Sequence, residues 1–374
     1  MLGEPPTLDP YSPRATNLTF ALVRPLYPSL FRFRPDGSVE SDLAEDLVPA
    51  PGGGAVITLE EASWSDGRPI TASDVVKSIR RARSPSAFAG LRARSRSERE
   101  IVVSERDPAL LAGAAFILPG GRASRTVSGG PMSIRRYTPG LQLEYVPNTE
   151  WTGREPALDN VTAQFINDLD ILLALLRKKE LDAAAPPMSV NLDDRLAALD
   201  LEVDEVLGSE FVGLRVGGPG MDEGLADRMI GALDVALLAE SFVRDDGDVV
   251  PSGGRRGRGS GGAAAVRLAA PEGDELLLLM QEAIQLQLRR AGIDAELITT
   301  DAPTFYGTWD ESPVAGAALV RNFGGRRVPK PTSAGRIVPL LRVETLLAWR
   351  TGVSGLEANG TIEGPLWNIE GWTR

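Results

Sequence analysis

The chain has 374 residues, of which 43% are hydrophobic and 24% charged, a composition typical of a globular protein with room for two lobes. Its 40 Lys and Arg against 51 Asp and Glu give a net charge of −11, so we expect no nucleic-acid partner. Because Cys and His are absent, disulfides, thiol nucleophiles, Ser-His pairs and zinc sites of the usual kind are excluded. The apolar runs are far shorter than the roughly 18 to 20 residues that cross a bilayer, so no membrane span is expected.

The first predicted elements alternate between helix and strand. Residues 18–33 indicate a helix followed by a short strand, and residues 56–59 indicate a strand. Thr71 and Asp74 have the spacing of a capping box, which predicts that a helix runs over residues 75–81.

Further strands are expected at residues 101–104, 141–146 and 161–166. Asp168 is placed to cap the next helix. Its predicted core-facing stripe consists of Ile171, Leu172, Leu175 and Leu176.

The second half contains a strand–helix–strand pattern. Residues 265–269 and 293–299 read as strands, and residues 274–290 as a helix that Gly292 ends. A crossover of this length predicts that the two strands are parallel. Residues 222–243 before it are expected to be largely helical.

Residues 251–262 are rich in Gly and Arg and contain little that could be buried. We interpret them as a mobile linker. RNA binding by an RGG-like segment is the rival interpretation, but the stretch has no aromatic side chain on which a base could stack.

A series of motifs follows in a fixed order along the first half of the chain. The most specific is WSDGRPITASDVV at residues 64–76, which resembles the signature WSDGTPVTAEDVV of a family of binding proteins. The others are Thr7–Pro10, Pro25–Leu30, Pro35–Gly37, Asp42–Glu45, Gly129–Met132, Pro147–Gly153 and Lys179–Asp182. Two C-terminal matches, Ile337–Leu340 and Gly352–Leu356, follow them.

On these motifs the chain resembles the extracellular solute-binding proteins of the oligopeptide, dipeptide and nickel class of ABC importers, substrate-binding family 5. The resemblance implies an α/β fold of the two-lobed periplasmic-binding-protein type (type II, peptide-binding class). It implies that residues 1–208 and 337–374 form the first lobe, with a small insertion around residues 75–150, and that residues 209–336 form a shortened second lobe. A two-strand hinge is expected near residues 206–216 and 336–343.

The same resemblance implies the function. We expect a receptor that delivers a peptide-like or other small polar solute to the membrane subunits of an ABC importer, with no enzymatic activity, cofactor or metal. It is expected to be monomeric and extracytoplasmic, either periplasmic or anchored at the cell surface as a lipoprotein, with its signal segment absent from this chain. The alternative is a sensing or protein-interaction module that keeps the fold without transport.

Seven residues are the candidate ligand-binding set implied by the resemblance. They are Glu4, Glu210, Phe211, Arg321, Asn322, Phe323 and Arg342. In peptide-binding relatives an Asp follows the aromatic residue here matched by Phe323 and pairs with the peptide amino group. Residues 324–327 offer no acid, so ordinary peptide binding is not expected.

Plain structural alternatives stay open for several of these residues. Glu4 is either a ligand-facing acid or part of a frayed terminus. Phe211 is either a cleft residue or sheet core, and Arg342 either an anion receptor or an exposed or paired Arg. Trp64 could serve as a ligand platform, but we predict that it packs in the core.

Overall fold

A computed structural model of the chain describes residues 3–12, 14–82, 90–112, 116–189, 191–217, 221–242, 264–301, 304–305, 316–323 and 336–374. The predicted linker at residues 251–262 lies outside these residues. No helix in the described ranges is long and apolar enough to span a membrane.

The N-terminal part contains three short helices and two small sheets. Its elements are α1 (Asn17–Val23), β1 (Phe31–Phe33), β2 (Val39–Ser41), β3 (Ala44–Pro49), β4 (Ala55–Leu59), α2 (Ala72–Ala82), β5 (Ala93–Ser95), β6 (Glu100–Val103) and α3 (Pro108–Ala112). The strands β3-β4-β6-β5 form an antiparallel sheet, and β1 pairs with β2. Helix α1 ends before Pro25, because a proline disfavours helical geometry in the residue before it.

The start of α2 confirms the predicted cap. The Asp74 carboxylate accepts hydrogen bonds from the backbone nitrogen and the hydroxyl of Thr71, both at 2.9 Å. Its other oxygen accepts from the backbone of Gly120 at 2.8 Å, which fixes the helix against the following chain.

A second antiparallel sheet consists of β7 (Met132–Thr138), β8 (Gln142–Pro147) and β9 (Val161–Gln164). It is followed by α4 (Leu169–Arg177), β10 (Ala183–Ala184) and α5 (Leu192–Ala197).

Asp168 caps α4 as predicted, since its Oδ1 accepts from the Ile171 nitrogen at 2.9 Å. The predicted stripe is partly wrong: Ile171 is 55% exposed, and the buried positions are Leu169, Leu172, Leu173 and Leu176. These four fit the 3.6-residue period of a helix that starts at Leu169.

The remaining elements form the largest sheet and the helices that cover it. They are β11 (Leu201–Gly217), α6 (Glu223–Ala232), α7 (Val235–Phe242), β12 (Ala264–Pro271), α8 (Glu275–Arg290), β13 (Ile293–Thr300), β14 (Gly316–Phe323) and β15 (Arg336–Arg350). The sheet order is β10-β15-β11-β14-β12-β13. Strand β12 is parallel to both β13 and β14, which confirms the predicted crossover, and the other pairs are antiparallel.

Two large hydrophobic cores lie at the two ends of this sheet. One contains buried residues between positions 22 and 165 together with residues 347–372 of the returning chain. The other contains residues between positions 212 and 343, and α8 contributes Leu276 to Leu288 to it. The long paired strands β11 and β15 contribute to both cores and connect them. The expected lobe boundaries at 208/209 and 336/337 stay predictions.

Trp64 packs in the first core, as predicted. It is 1% exposed, and a Cβ on Gly129 would lie 2.8 Å from its ring. The packed indole therefore leaves no room for a side chain at residue 129, which has to be glycine.

Candidate functional site

A polar cluster lies where β14, β11 and the start of α8 meet. The Arg321 guanidinium donates to both carboxylate oxygens of Asp274, with Nε 2.6 Å from Oδ2 and Nη2 3.0 Å from Oδ1. Nη2 also donates to the backbone oxygen of Met188 at 3.0 Å. The Arg321 and Asp274 side chains are 10% and 15% exposed. A two-pronged pair of this kind fixes both groups, and its burial strengthens the attraction.

The topology explains why these two residues meet. Strands β12 and β14 run parallel, so their carboxyl ends reach the same edge of the sheet. Asp274 follows β12 and caps α8, because its Oδ1 accepts from the Leu277 nitrogen at 3.2 Å. Arg321 lies near the end of β14, and its side chain extends to that cap.

Glu210 on β11 joins the cluster from the neighbouring strand. Its Oε1 accepts a hydrogen bond from Asn17 Nδ2 at 3.2 Å, which links α1 of the first core to the large sheet. Burial is the main cause that raises the pKa of Glu210, and the Asp274 carboxylate raises it further. The Arg321 charge and the Asn17 amide act in the opposite direction.

Three more of the predicted residues share this part of the sheet. Phe211 is opposite Asn322 on one side and Arg342 on the other. Phe211 is 5% exposed, whereas Arg342 is exposed at the sheet surface. The side chains of Asn322 and Phe323 lie outside the described residues, although the backbone of both belongs to β14. A direct ligand contact by any of them stays a prediction.

Glu4 lies on a different element. Its Oε2 accepts from the Gly140 nitrogen at 2.9 Å, and its Oε1 accepts from the Tyr137 hydroxyl, so both partners belong to the β7–β8 hairpin. The preceding residue, Gly3, donates its backbone hydrogen to Ile166 at 2.6 Å. Burial, followed by the hydrogen bond and charge of Glu4, raises the pKa of Tyr137 to about 12. Glu4 is thus anchored, contrary to the alternative of a frayed terminus.

The edge that carries Asp274 also contacts α4 and α5, which form a third, smaller core. Arg195 on α5 forms an ion pair with Asp170 on α4, and its Nη1 lies 3.6 Å from Glu275 Oε2 on α8. A Cβ on Gly273 would lie 2.8 Å from the backbone oxygen of Asn167. The start of α8 therefore lies close to α4 and α5.

Sequence analysis missed two members of the cluster. Asp274 was assigned only to the start of a helix, although the parallel arrangement of β12 and β14 brings such a cap beside the end of β14. The sequence did not identify Asn17 as a site residue, because its partner Glu210 lies 193 positions further along the chain. Within the described ranges no group of three or more potential metal ligands was found.

The fold described above is the two-lobed α/β fold of solute-binding proteins. The profile described as "Bacterial extracellular solute-binding proteins, family 5 Middle" matches residues 38–223. The chain belongs to this family, whose members are binding proteins of ABC importers. No curated protein sequence matches the chain.

Solved structures share the fold at low identity. The oligopeptide-binding protein AppA of Bacillus subtilis, in complex with a nonapeptide, has a TM-score of 0.79 at 15% identity, over 100% of this chain and 97% of that one. NikZ of Campylobacter jejuni, in complex with Ni(L-His), has a TM-score of 0.76 at 15% identity, over 97% of both chains. AgaA of A. tumefaciens R10, in complex with agropinic acid, has a TM-score of 0.78 at 17% identity, over 99% and 97%.

Proposed function

We propose that this protein is an extracytoplasmic receptor that binds a small peptide-like or other polar solute between its lobes and delivers it to an ABC importer. In this proposal residues 1–208 and 337–374 form the first lobe, and residues 209–336 form a shortened second one. The chain is exported and either periplasmic or lipid-anchored, and it acts as a monomer.

The observation that carries the proposal is the Arg321–Asp274 pair beside Glu210. It places a guanidinium and two carboxyl groups next to each other, where helix α1 of the first core meets the sheet of the second. A largely buried set of this kind suits a ligand with both an amino and a carboxyl group, because each end meets an opposite charge. Asp274 supplies the acid that residues 324–327 lack.

The ligands of the three solved relatives support only a broad class. A nonapeptide, Ni(L-His) and agropinic acid differ in size and charge. Identities of 15 to 17% support a shared fold but do not show that the ligand-contacting residues are shared. We therefore assign the ligand by charge pattern and not by name.

The test is a thermal-shift screen with short peptides, each compared with its N-acetylated and C-amidated form. At a concentration of 100 times Kd, a ligand of the folded state stabilises it by about 2.7 kcal/mol, which gives a readily measured rise in Tm. Stabilisation by the free peptide but not by either blocked form is expected.

Asp274→Asn is the informative variant, because asparagine keeps the helix cap but removes the charge. We expect its ligand affinity to fall at least about tenfold, as a truncated buried charge pair loses about 2 to 5 kcal/mol of binding. Asp222→Asn is the matched control, since Asp222 caps α6 in the same way, with its Oδ1 2.7 Å from the Leu225 nitrogen, but is exposed. Equal affinity in the two variants would rule out a ligand site at this pair.

A sensing or protein-interaction module without transport is the second candidate. One observation favours it: the guanidinium of Arg321 already binds Asp274 and Met188, so an incoming carboxylate has to compete with both. A receptor whose stability responds to no peptide or organic acid, but which co-purifies with another protein, supports this candidate instead.

A further inference from the structure

Positive charge is concentrated in one segment of the chain. Residues 75–136 contain 13 of the 40 Lys and Arg but only four of the 51 Asp and Glu. This segment therefore has a net charge of +9, whereas the whole chain has −11 and the rest of it −20. Ten of the 13 basic side chains are exposed in the part of the chain that the structure describes. A charge asymmetry of this size indicates a surface for a negatively charged partner.

Within this segment, a row of side chains crosses the sheet β3-β4-β6-β5 and ends in an arginine. Arg94 on the edge strand β5 is opposite Val102 on β6. Val102 is opposite Val56 on β4, and Val56 is opposite Val48 on β3. Val48 is 45% exposed, and the other two valines are half-buried. The row thus presents apolar surface beside a positive charge.

This row lies on the outer face of the sheet. The adjacent row contains Ile57 and Ile101, which are opposite each other and buried in the first core. Because successive residues of a strand point to opposite faces, the valine row points away from that core. Arg92 and Arg96 flank Arg94 at a distance of two residues, and all three arginines are exposed. We call these three arginines and the three valines the basic sheet face.

Two of the three arginines are free to bind an anion. Arg96 lies 3.7 Å from Glu100, whereas Arg92 and Arg94 have no ion pair among the described residues. Asp46 and Glu100 are acids of this face, but both lie in the row of Arg96. A guanidinium without an acidic partner keeps its five N–H donors available.

We propose that the basic sheet face binds the surface of a membrane that contains anionic phospholipids. The planar fork of a guanidinium group fits the two free oxygens of a phosphodiester. Exposed valines beside these groups suit the boundary between headgroups and acyl chains. An acidic protein fits less well, because a stable protein interface needs roughly 1,200 to 2,000 Å² of matched surface, whereas lipid attraction depends on charge and exposed apolar area.

This inference goes beyond the proposed receptor function, because it adds a contact with lipid and uses none of the predicted ligand residues. Each basic residue near an anionic membrane raises the partition coefficient by about fivefold. Three arginines therefore give on the order of a hundredfold at low salt. Attraction of this strength is reversible and keeps the protein close to the membrane that carries an importer.

Flotation of the whole chain with phosphatidylcholine vesicles, with and without about 30% phosphatidylglycerol, tests the proposal. We expect the chain to float with the anionic vesicles at about 50 mM NaCl and to lose most of this binding at about 500 mM, because salt screens exposed charges. No flotation is expected with neutral vesicles. Equal flotation with both kinds of vesicle, or none with anionic vesicles at low salt, contradicts the proposal.

The combined variant Arg92→Gln, Arg94→Gln and Arg96→Gln locates the contact. We expect its partition coefficient on anionic vesicles to fall at least tenfold, which is about the loss for two to three basic residues. Arg94→Glu alone changes the charge by two at the centre of the edge and is expected to lose about tenfold as well. All three side chains are exposed, so an unchanged Tm is expected and shows that the fold is kept. Full vesicle binding by both variants overturns the assignment.

The charge-matched control combines Arg267→Gln, Arg289→Gln and Arg290→Gln, which removes three exposed arginines from β12 and α8. It is expected to keep its partition coefficient within about twofold, and a loss equal to that of the first triple variant overturns the assignment to the basic sheet face. Displacement of the chain from vesicles by soluble poly-glutamate at equal charge overturns the lipid assignment in favour of an acidic protein partner. Asp274→Asn keeps vesicle binding, so failure of the receptor proposal is distinguishable.

Discussion

At the scale of single residues, Arg24 shows how the chain ends are held together. Its guanidinium is 5% exposed and pairs with Glu363 at 2.7 Å and with Asp42 at 3.2 Å. It also donates to the Ser29 hydroxyl at 2.7 Å. Because Glu363 belongs to the last twelve residues, one buried cation fixes the returning chain against the end of α1.

Arg24→Met is expected to lower the free energy of unfolding by about 3 to 5 kcal/mol at pH 7, since it leaves two buried carboxylates without a cation. Burial already raises the pKa of Glu363, and the loss of Arg24 raises it further. A carboxyl group whose folded pKa exceeds its unfolded value favours the folded state at low pH, and this contribution is lost as the pH rises through the folded pKa. The defect should therefore be smaller near pH 5 than at pH 7 in urea titrations.

The control for this prediction is Arg34→Met, which removes an arginine that is 50% exposed and pairs with Glu40. A loss of at most about 1 kcal/mol is expected there. Equal losses at both positions, or an Arg24→Met defect that grows as the pH falls, would contradict the account of the buried network.

At the scale of elements, sequence patterns predicted what depends on neighbours along the chain. The β12–α8–β13 crossover follows from its periodicity and from Gly292, and the α2 cap follows from the spacing of Thr71 and Asp74. The core-facing side of α4 was predicted one residue out of position. A run of apolar residues does not indicate which side of the helix packs against the core. The pairing of Asp274 with Arg321 depends on the order of strands in the sheet, which local patterns do not contain.

The close approach of Gly208 on β11 and Gly360 gives an element-scale prediction. A Cβ on Gly360 would lie 2.5 Å from the Gly208 Cα, so Gly360→Ala forces two backbones apart. We expect a loss of about 1 to 3 kcal/mol, measured by chemical denaturation, because overpacking displaces the backbone at the irregular stretch of β11.

Gly90→Ala is the matched control, since a Cβ there meets nothing within 4 Å. A change within about 0.5 kcal/mol is expected for it. If Gly360→Ala is as harmless as Gly90→Ala, the two backbones are not in the contact described.

At the scale of the whole molecule, two cores are connected by the long antiparallel pair β11 and β15. The ordered motifs predicted this two-lobed class and its family from the first half of the chain. They did not predict which residues meet between the cores, because such contacts join Asn17 to Glu210 and Arg195 to Glu275 across long stretches of sequence. Glu210 and Arg321 stay predicted ligand residues, and their partners Asn17 and Asp274 were not predicted.

Native mass spectrometry of gently purified protein, compared with the denatured chain, tests the central claim most directly. A receptor that encloses its solute with a Kd below about 1 μM, or roughly −8 kcal/mol, keeps part of it through purification. We predict a discrete extra mass on the native chain that is released by denaturation and reduced in Asp274→Asn but not in Asp222→Asn. A bare chain from several expression hosts, whose Tm no peptide or organic acid raises, would contradict the claim that this protein is a solute receptor.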